Sequence, residues 1–298
     1  MPKSASQSGK ASKKEPFLST IIAGVFVGDG YPIRVMAAIN VSPESFYSAS
    51  VARGRRQLAR RARQVTDEGA SFIDLGAMST APYRAGWIDP TEERRRLVAA
   101  INVVRDETNL PISVDTQRAQ VAEAALAAGA RIVNDVSGLA ADPLMGRVAR
   151  EAEGIILMAQ PTKPSSEPPV RLVRRLLRAC LARAERADLP MSRIVLDPGI
   201  GFYRLSSHPW FEVDVAILAA LRRFRTLGHP LLVGASRKSF LGEITGRKDP
   251  AERLPASLAA ATIAALHGAA IIRAHDVAPT MDALAVAGAV LEQARELR

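Results

Sequence analysis

Polar side chains recur at the ends of short apolar runs along this 298-residue chain, and their types define a chemistry. Asn40 follows the run at 35–39, and Asp74 lies within 72–75 with Ser79 and Thr80 after it. Asp115 and Thr116 follow 112–114, Asn134 and Asp135 follow 132–133, and Met158 ends 155–158. Asp197-Pro198-Gly199 follows 194–196, Ser236-Arg237-Lys238-Ser239 follows 231–233, and Arg273, His275 and Asp276 surround the end of 271–272. Three groups of amide or carboxylate character, Asp115, Asn134 and Asp197, match the several N–H donors of a fused nitrogen heterocycle. Arg273, His275, Asn40 and the backbone after Asn40 suit an anion. Together they describe a ring system carrying a phosphorylated leaving group.

Each piece alone has a plainer reading. Asn40-Val41-Ser42-Pro43 is turn composition, with the amide closing on its own backbone. Asp115 before Thr116 suits the cap of a following helix. Asp197-Pro198-Gly199 is ordinary turn chemistry, backbone donors would hold Asn134-Asp135, and His275 reads equally as a wall residue. Lys238 is less ordinary, because outside the lysine-rich start only Lys163 and Lys248 accompany it in a chain that prefers arginine. These residues form a site only if the fold gathers them at one rim.

The apolar runs supply such a fold. Each is nearly continuous, is flanked by Gly, Pro, Asp or Asn, and is followed by a stretch with apolar residues three or four apart. Strands buried on both faces belong to parallel sheets covered by helices. Helical examples are Leu58-Ala62-Val65, Leu97-Ile101-Val104, Val121-Ala125-Ala128 and Leu258-Ala261-Ala265; the fourth strand and its helix are the shortest. Asp89-Pro90-Thr91-Glu92 marks a helix start, with a capping carboxylate and a proline at the first position. Eight strands alternating with eight helices give an α/β fold, a closed (β/α)8 barrel, whose site lies at the C-terminal ends of the strands. The runner-up, an open doubly wound sheet, calls for GxGxxG after the first strand, where Asn40-Val41-Ser42-Pro43-Glu44 stands instead. Before the barrel, 21–27 and 33–38 read as two short strands about Gly28-Asp29-Gly30, an N-terminal β-hairpin. Residues 1–16 carry no hydrophobic pattern and read as a disordered tail without a targeting signal, leaving 17–298 as one domain.

Composition narrows the partners. The chain is 48% hydrophobic and 23% charged, which is globular and excludes disordered, collagen-like and coiled-coil classes. One cysteine, Cys180, excludes a disulfide framework or multi-cysteine metal site and suits a reducing, cytoplasmic setting. The four histidines, His208, His229, His267 and His275, form no HxxxH pair, and no apolar run reaches membrane-spanning length. The net charge is +10, but the arginines are spread over helix faces and only 5% of residues are aromatic, so nucleic acid is not the expected partner.

The chain resembles the dihydropteroate synthase family of pterin-binding barrels. The resemblance runs from about residue 20 to 296 through Asn40-Val41-Ser42-Pro43-Glu44-Ser45-Phe46, Asp74-Leu75-Gly76 with Ser79-Thr80, and Val114-Asp115-Thr116. It continues through Asn134-Asp135-Val136-Ser137-Gly138, Asp197-Pro198-Gly199-Ile200-Gly201-Phe202, Ser236-Arg237-Lys238-Ser239 and Arg273-Ala274-His275-Asp276. The last two motifs are the specific ones. The resemblance implies condensation of 6-hydroxymethyl-7,8-dihydropterin diphosphate with an arylamine, releasing pyrophosphate with Mg2+. It implies that Asp115, Asn134, Met158 and Asp197 line the pterin site, with Lys238 on the opposite edge of the ring. It further implies that Asn40 binds Mg2+ and diphosphate, that Arg273 and His275 bind diphosphate, and that Thr80, Pro82, Phe202, Arg237 and Ser239 border the amine. Lys238, Asp197 and Asp115 are then the catalytic residues, and a homodimer through the last helices is the family habit.

Departures leave the amine open. The family's Ser-Thr-Arg-Pro-Gly reads Ser79-Thr80-Ala81-Pro82-Tyr83-Arg84, so the expected arginine is absent and Arg84 is its candidate substitute. Ala159 stands where the family has histidine, and the loop after Asn40 lacks the usual Ser-Asp-Gly-Gly. These differences are similar to the dihydropteroate synthase-like proteins of archaea and methylotrophs. The amine is then either p-aminobenzoate or a ribofuranosylaminobenzene phosphate of tetrahydromethanopterin synthesis. A corrinoid-dependent pterin methyltransferase and a non-catalytic pterin-binding protein are the rival readings. The first has no use for the two anion-binding motifs, while the absent arginine and histidine favour the second.

Overall fold

The structure is a computed structural model and describes residues 16–41, 54–77 and 88–297. It opens with an antiparallel hairpin of β1 (Ser19–Ile22) and β2 (Val25–Gly28). Its turn is Ala23-Gly24, both at positive φ, rather than the Gly28-Asp29-Gly30 expected from sequence. Alanine in that conformation leaves no compositional mark, whereas a Gly-Asp-Gly run attracts the eye. The expected second hairpin strand is instead β3 (Arg34–Asn40), the first strand of the barrel.

The strands that follow are β4 (Phe72–Gly76), β5 (Ile112–Asp115), β6 (Ile132–Asp135), β7 (Gly154–Met158), β8 (Ile194–Asp197), β9 (Leu231–Val233) and β10 (Ala269–Ala274). All pair in parallel in chain order, and β10 closes the ring on β3. Around them lie α1 (Arg55–Asp67), α2 (Pro90–Arg105), α3 (Ala119–Ala128), α4 (Met145–Ala149), α5 (Pro169–Arg186), α6 (Trp210–Ala219), α7 (Ser239–Thr245), α8 (Leu254–Leu266) and α9 (Val277–Glu296). The eight-strand barrel is therefore as expected, and α4 is indeed the shortest helix among those described. One helix exceeds the expected eight: α7 is an additional short turn of helix after β9. The start of α2 also matches its sequence signal, since the Asp89 side chain accepts the Thr91 N–H at 2.8 Å and Pro90 is the first helical residue.

Two apolar clusters hold the molecule. Outward-facing strand residues such as Val35, Ile73, Val114, Val133 and Leu196 pack under the helices. Inward-facing Met36, Phe72, Ile132, Ile156, Val195, Leu232 and Ile271 form a floor, against which Ile22 and Val27 of the hairpin are packed without solvent exposure. The alternation of strand side chains then decides what lies above that floor. Two residues on from Phe72, Ile132 and Ile271 stand Asp74, Asn134 and Arg273. The barrel interior thus changes from apolar to ionic within one strand step, and the ionic end is the C-terminal end.

Candidate functional site

Asp74 anchors the ionic layer. It is fully buried, and its carboxylate accepts the Ser113 hydroxyl at 2.6 Å, the Asn134 amide at 3.3 Å and the Arg273 Nε at 2.7 Å. Strand register explains the gathering, because Asp74 pairs with Ser113 and, one step higher, Asp115 pairs with Asn134. Sequence reasoning placed Asp74 within its strand but gave it no role, and Ser113, inside an apolar run, was likewise given none.

Above it, Arg273 Nη2 reaches Asp115 Oδ2 at 3.4 Å, while Asp115 Oδ1 is buried with no hydrogen-bond partner among the described residues. Burial, and then the charge of Asp74, push the Asp115 carboxyl up to about 7, with Arg273 opposing. Arg273 is held protonated more firmly than usual; burial works against its charge, but Asp74 and Asp115 outweigh it. Neither Asp115 nor Asn134 caps a helix: α3 begins at Ala119, whose N–H is accepted by Asp142 at 2.8 Å. The neighbouring Asp135 is the structural one, with the N–H groups of Ser137 and Leu139 each at 2.8 Å from its carboxylate.

Gly76 and Gly234 give this layer its opening. A methyl group on Gly76 would stand 3.6 Å from Asp115 Cβ and 3.8 Å from Asn40 Oδ1, so both side chains border the space over Gly76. One on Gly234 would stand 3.6 Å from Arg273 Cβ and 4.0 Å from Lys238 Nζ, so the lysine and the arginine flank one gap.

Across the gap Asp197 ends β8 beside Met158 of β7, and Met158 is buried in the wall. Asp197 closes its own turn, accepting the Gly199 N–H at 2.7 Å. Burial raises its carboxyl and the nearby Lys238 opposes. Lys238 is half-buried; its Nζ donates to the Ile200 carbonyl and lies 5.1 Å from the centre of the Phe202 ring, within cation–π range. Burial lowers its ammonium pKa, and Asp197 and Asp214 oppose that lowering. His275 is buried, with Nδ1 3.0 Å from the Ser236 hydroxyl. Burial, then Arg273, lower it to about 3, which leaves the imidazole neutral at pH 7.

Two expected neighbours of the amine are also placed. Ser239 is half-buried at the start of α7, where its hydroxyl accepts from Arg204 Nη2 at 2.7 Å. Arg237 departs from its expected role. Its guanidinium forms a bidentate pair with Asp276 at 2.8 Å and donates to the carbonyls of Pro250 and Ala251, so it braces the β9 loop against α8 and α9. Ala159, where histidine was expected, is buried and its carbonyl accepts the hydroxyl of the fully buried Tyr203 at 3.3 Å. Thr80, Pro82 and Arg84, and the loop after Val41, lie outside the described residues.

Asp115, Asn134, Asp197, Lys238, Arg273 and Asn40 thus face one mouth, an acceptor wall opposed by two cations. Residues 36–275 match the family model described as pterin binding enzyme. The dihydropteroate synthase of Mycobacterium leprae (strain TN) is 37% identical over 274 residues, covering 87% of this chain and 94% of its own. A Xanthomonas albilineans dihydropteroate synthase solved with 4-aminobenzoic acid is 36% identical with a TM-score of 0.82, covering 93% of this chain and 99% of its own. The same organism's enzyme in complex with 7,8-dihydropteroate gives a TM-score of 0.78 at 34% identity, covering 92% and 98%. A mouth built for a polar ring and an anion, on a barrel matched over most of its length, identifies this chain as a member of the dihydropteroate synthase family of pterin-binding enzymes.

Proposed function

We propose that this chain condenses 6-hydroxymethyl-7,8-dihydropterin diphosphate with p-aminobenzoate, releasing pyrophosphate. The observation that carries the reading is the buried Asp115 Oδ1 without a hydrogen-bond partner among the described residues, next to Asn134 in the strand register and close enough to Lys238, as Asp197 is, for their charges to act on one another. A pterin presents ring N–H donors that such a wall of acceptors satisfies, and Lys238 takes the opposite edge. Arg273 and the neutral His275 suit the diphosphate. Phe202 and Ser239, with Thr80 and Pro82, are the residues proposed to border the amine.

The reaction breaks the bond between the pterin methylene and the diphosphate oxygen and forms a bond from the amine nitrogen to that methylene. The bond pair leaves with pyrophosphate, and the amine proton is lost to solvent. Positive charge develops on the methylene and spreads into the ring, where the fixed carboxylates of Asp115 and Asp197 favour it. Arg273 favours the departing anion. An arylamine is nucleophilic enough to need no strong base, which fits a mouth whose imidazole, on His275, is lowered to about 3 and is only weakly basic.

The residues also fit magnesium, in a limited way. No group of three or more His, Cys, Asp or Glu gathers among the described residues, so they form no protein cage. Mg2+ prefers to keep waters and substrate phosphate oxygens, adding only one or two protein ligands, and the Asn40 amide oxygen beside the mouth offers one. Bound there, the ion would neutralise charge on the leaving diphosphate.

The bacterial relatives and the neighbour solved with 4-aminobenzoic acid support p-aminobenzoate over a ribosylated amine. Pyrophosphate release measured with each amine tests that choice. Lys238→Ala should lower kcat/KM by about 100-fold or more; near-normal turnover in that variant would end the assignment.

A further inference from the structure

Behind Lys238 lies a carboxylate that the proposed mechanism leaves unused. Asp214 sits on the inner face of α6 at 1% exposure. Its Oδ1 accepts the Gly201 N–H at 2.7 Å, while Oδ2 is buried without a hydrogen-bond partner among the described residues. The carbonyl of that same peptide group, on Ile200, is the acceptor for Lys238 Nζ. One peptide plane therefore has an anion on its N–H and a cation on its C=O. Gly201 is at φ +89°, and a methyl group there would stand 3.0 Å from Lys238 Cδ and 3.5 Å from its Nζ. The lysine stem thus lies directly over the peptide that Asp214 holds.

We propose that Asp214 is a positioning residue for Lys238: it orients the Ile200–Gly201 peptide and supplies, through it, the negative charge that keeps the lysine ammonium aimed at the pterin edge of the mouth. Hydrogen bonds on both sides of one amide polarise each other, and a buried anion acts strongly over such a path. Burial raises the Asp214 carboxyl to about 6, with the Gly201 N–H, Lys238 and Arg204 opposing. Arg204, the other cation near it, is occupied by the Ser239 hydroxyl and lies 3.4 Å over the Trp210 ring. Of the two cations, Lys238 acts on Asp214 ahead of Arg204 and is the one bound to the carbonyl of the peptide that Asp214 holds.

The inference rests on the pterin reading of the site, so it is tested by two measurements, one of them independent of turnover. Asp214→Asn keeps an acceptor for Gly201 but removes the charge; Asp214→Ala removes both. In the first measurement, kcat/KM for the pterin diphosphate should fall about 10-fold in Asp214→Asn and further in Asp214→Ala, with KM for the amine unchanged and the melting temperature of Asp214→Asn close to wild type. In the second, the full chain is acylated at pH 8 and mapped by mass spectrometry. Both variants should label faster at Lys238, relative to Lys163 and Lys248, because loss of the anion frees more neutral amine. Unchanged Lys238 labelling, or a fall shared equally between the two substrates, would overturn the proposal. A wild-type chain that releases no pyrophosphate, yet whose variants show the faster labelling, would sink the pterin reading and leave the Asp214–Lys238 relation standing.

Discussion

Asp115 shows how much a single buried carboxyl sets in this molecule. Its folded pKa of about 7 lies above the ordinary carboxyl value of 3.8. Between those two values the folded chain binds more protons than the unfolded one, so stability falls as pH rises from about 4 to 7. Above that range Asp115 is ionised in both states and the loss is complete. Asp115→Asn removes this contribution, so denaturant unfolding should show a shallower decline from pH 5 to 8 and a more stable ligand-free variant at pH 8. A variant curve superimposable on wild type would contradict it. The residue types of the mouth were legible in sequence because Asp115, Asn134, Asp197 and Lys238 each follow an apolar run. Asp74 was legible in its strand but not its role, and Asp214, inside a helix, was not singled out; only the packed structure shows that each is bound to a site residue or its loop. Arg237 misled because a motif gives a residue's position and not the direction of its side chain, which here is taken by Asp276 and two carbonyls.

At the scale of elements, the hairpin and the strands divide the labour. The floor is apolar and distant from the chemistry, so its changes should register in stability alone. Ile22→Ala, at a fully buried position against the floor, should cost about 2–5 kcal/mol. The melting temperature should drop with kcat/KM nearly unchanged; a comparable loss in kcat/KM at permissive temperature would show that floor and mouth are coupled. The barrel itself was readable because strands buried on both faces leave unbroken apolar runs, and helices leave a three-to-four spacing. The hairpin register was not, since its turn depends on Ala23 adopting a left-handed conformation. Nor was α7, whose seven residues are too few to print a period.

For the whole molecule, acidic side chains at the surface pair with arginines, as in Arg55–Asp106, Arg95–Glu92 and Arg131–Glu153, and the net charge of +10 is the excess of cations that such pairs leave. No helix among the described residues is long and apolar enough to cross a membrane. The outer side of α9 is different: Val286 and Val290, one turn apart, are 66% and 53% exposed, and Ile263 on the adjoining α8 is 43% exposed. The resemblance implies a homodimer through the last helices, and these residues are where that expectation is tested. Val286→Glu with Val290→Glu should convert a dimer into a monomer in light scattering, and a wild-type chain already monomeric at micromolar concentration would dismiss it. A different consequence follows from how the ring is sealed. The first barrel strand finds its second partner only in residues 271–274, and the plug at 22 and 27 completes its seat against Ile271. During synthesis those early segments emerge long before the end that completes them, with Ile22 and Val27 uncovered and two sheet edges unpaired. Closure of the ring must wait on residues 269–274, which makes acquisition of the native state a concerted event and puts the risk of aggregation in the interval before they emerge.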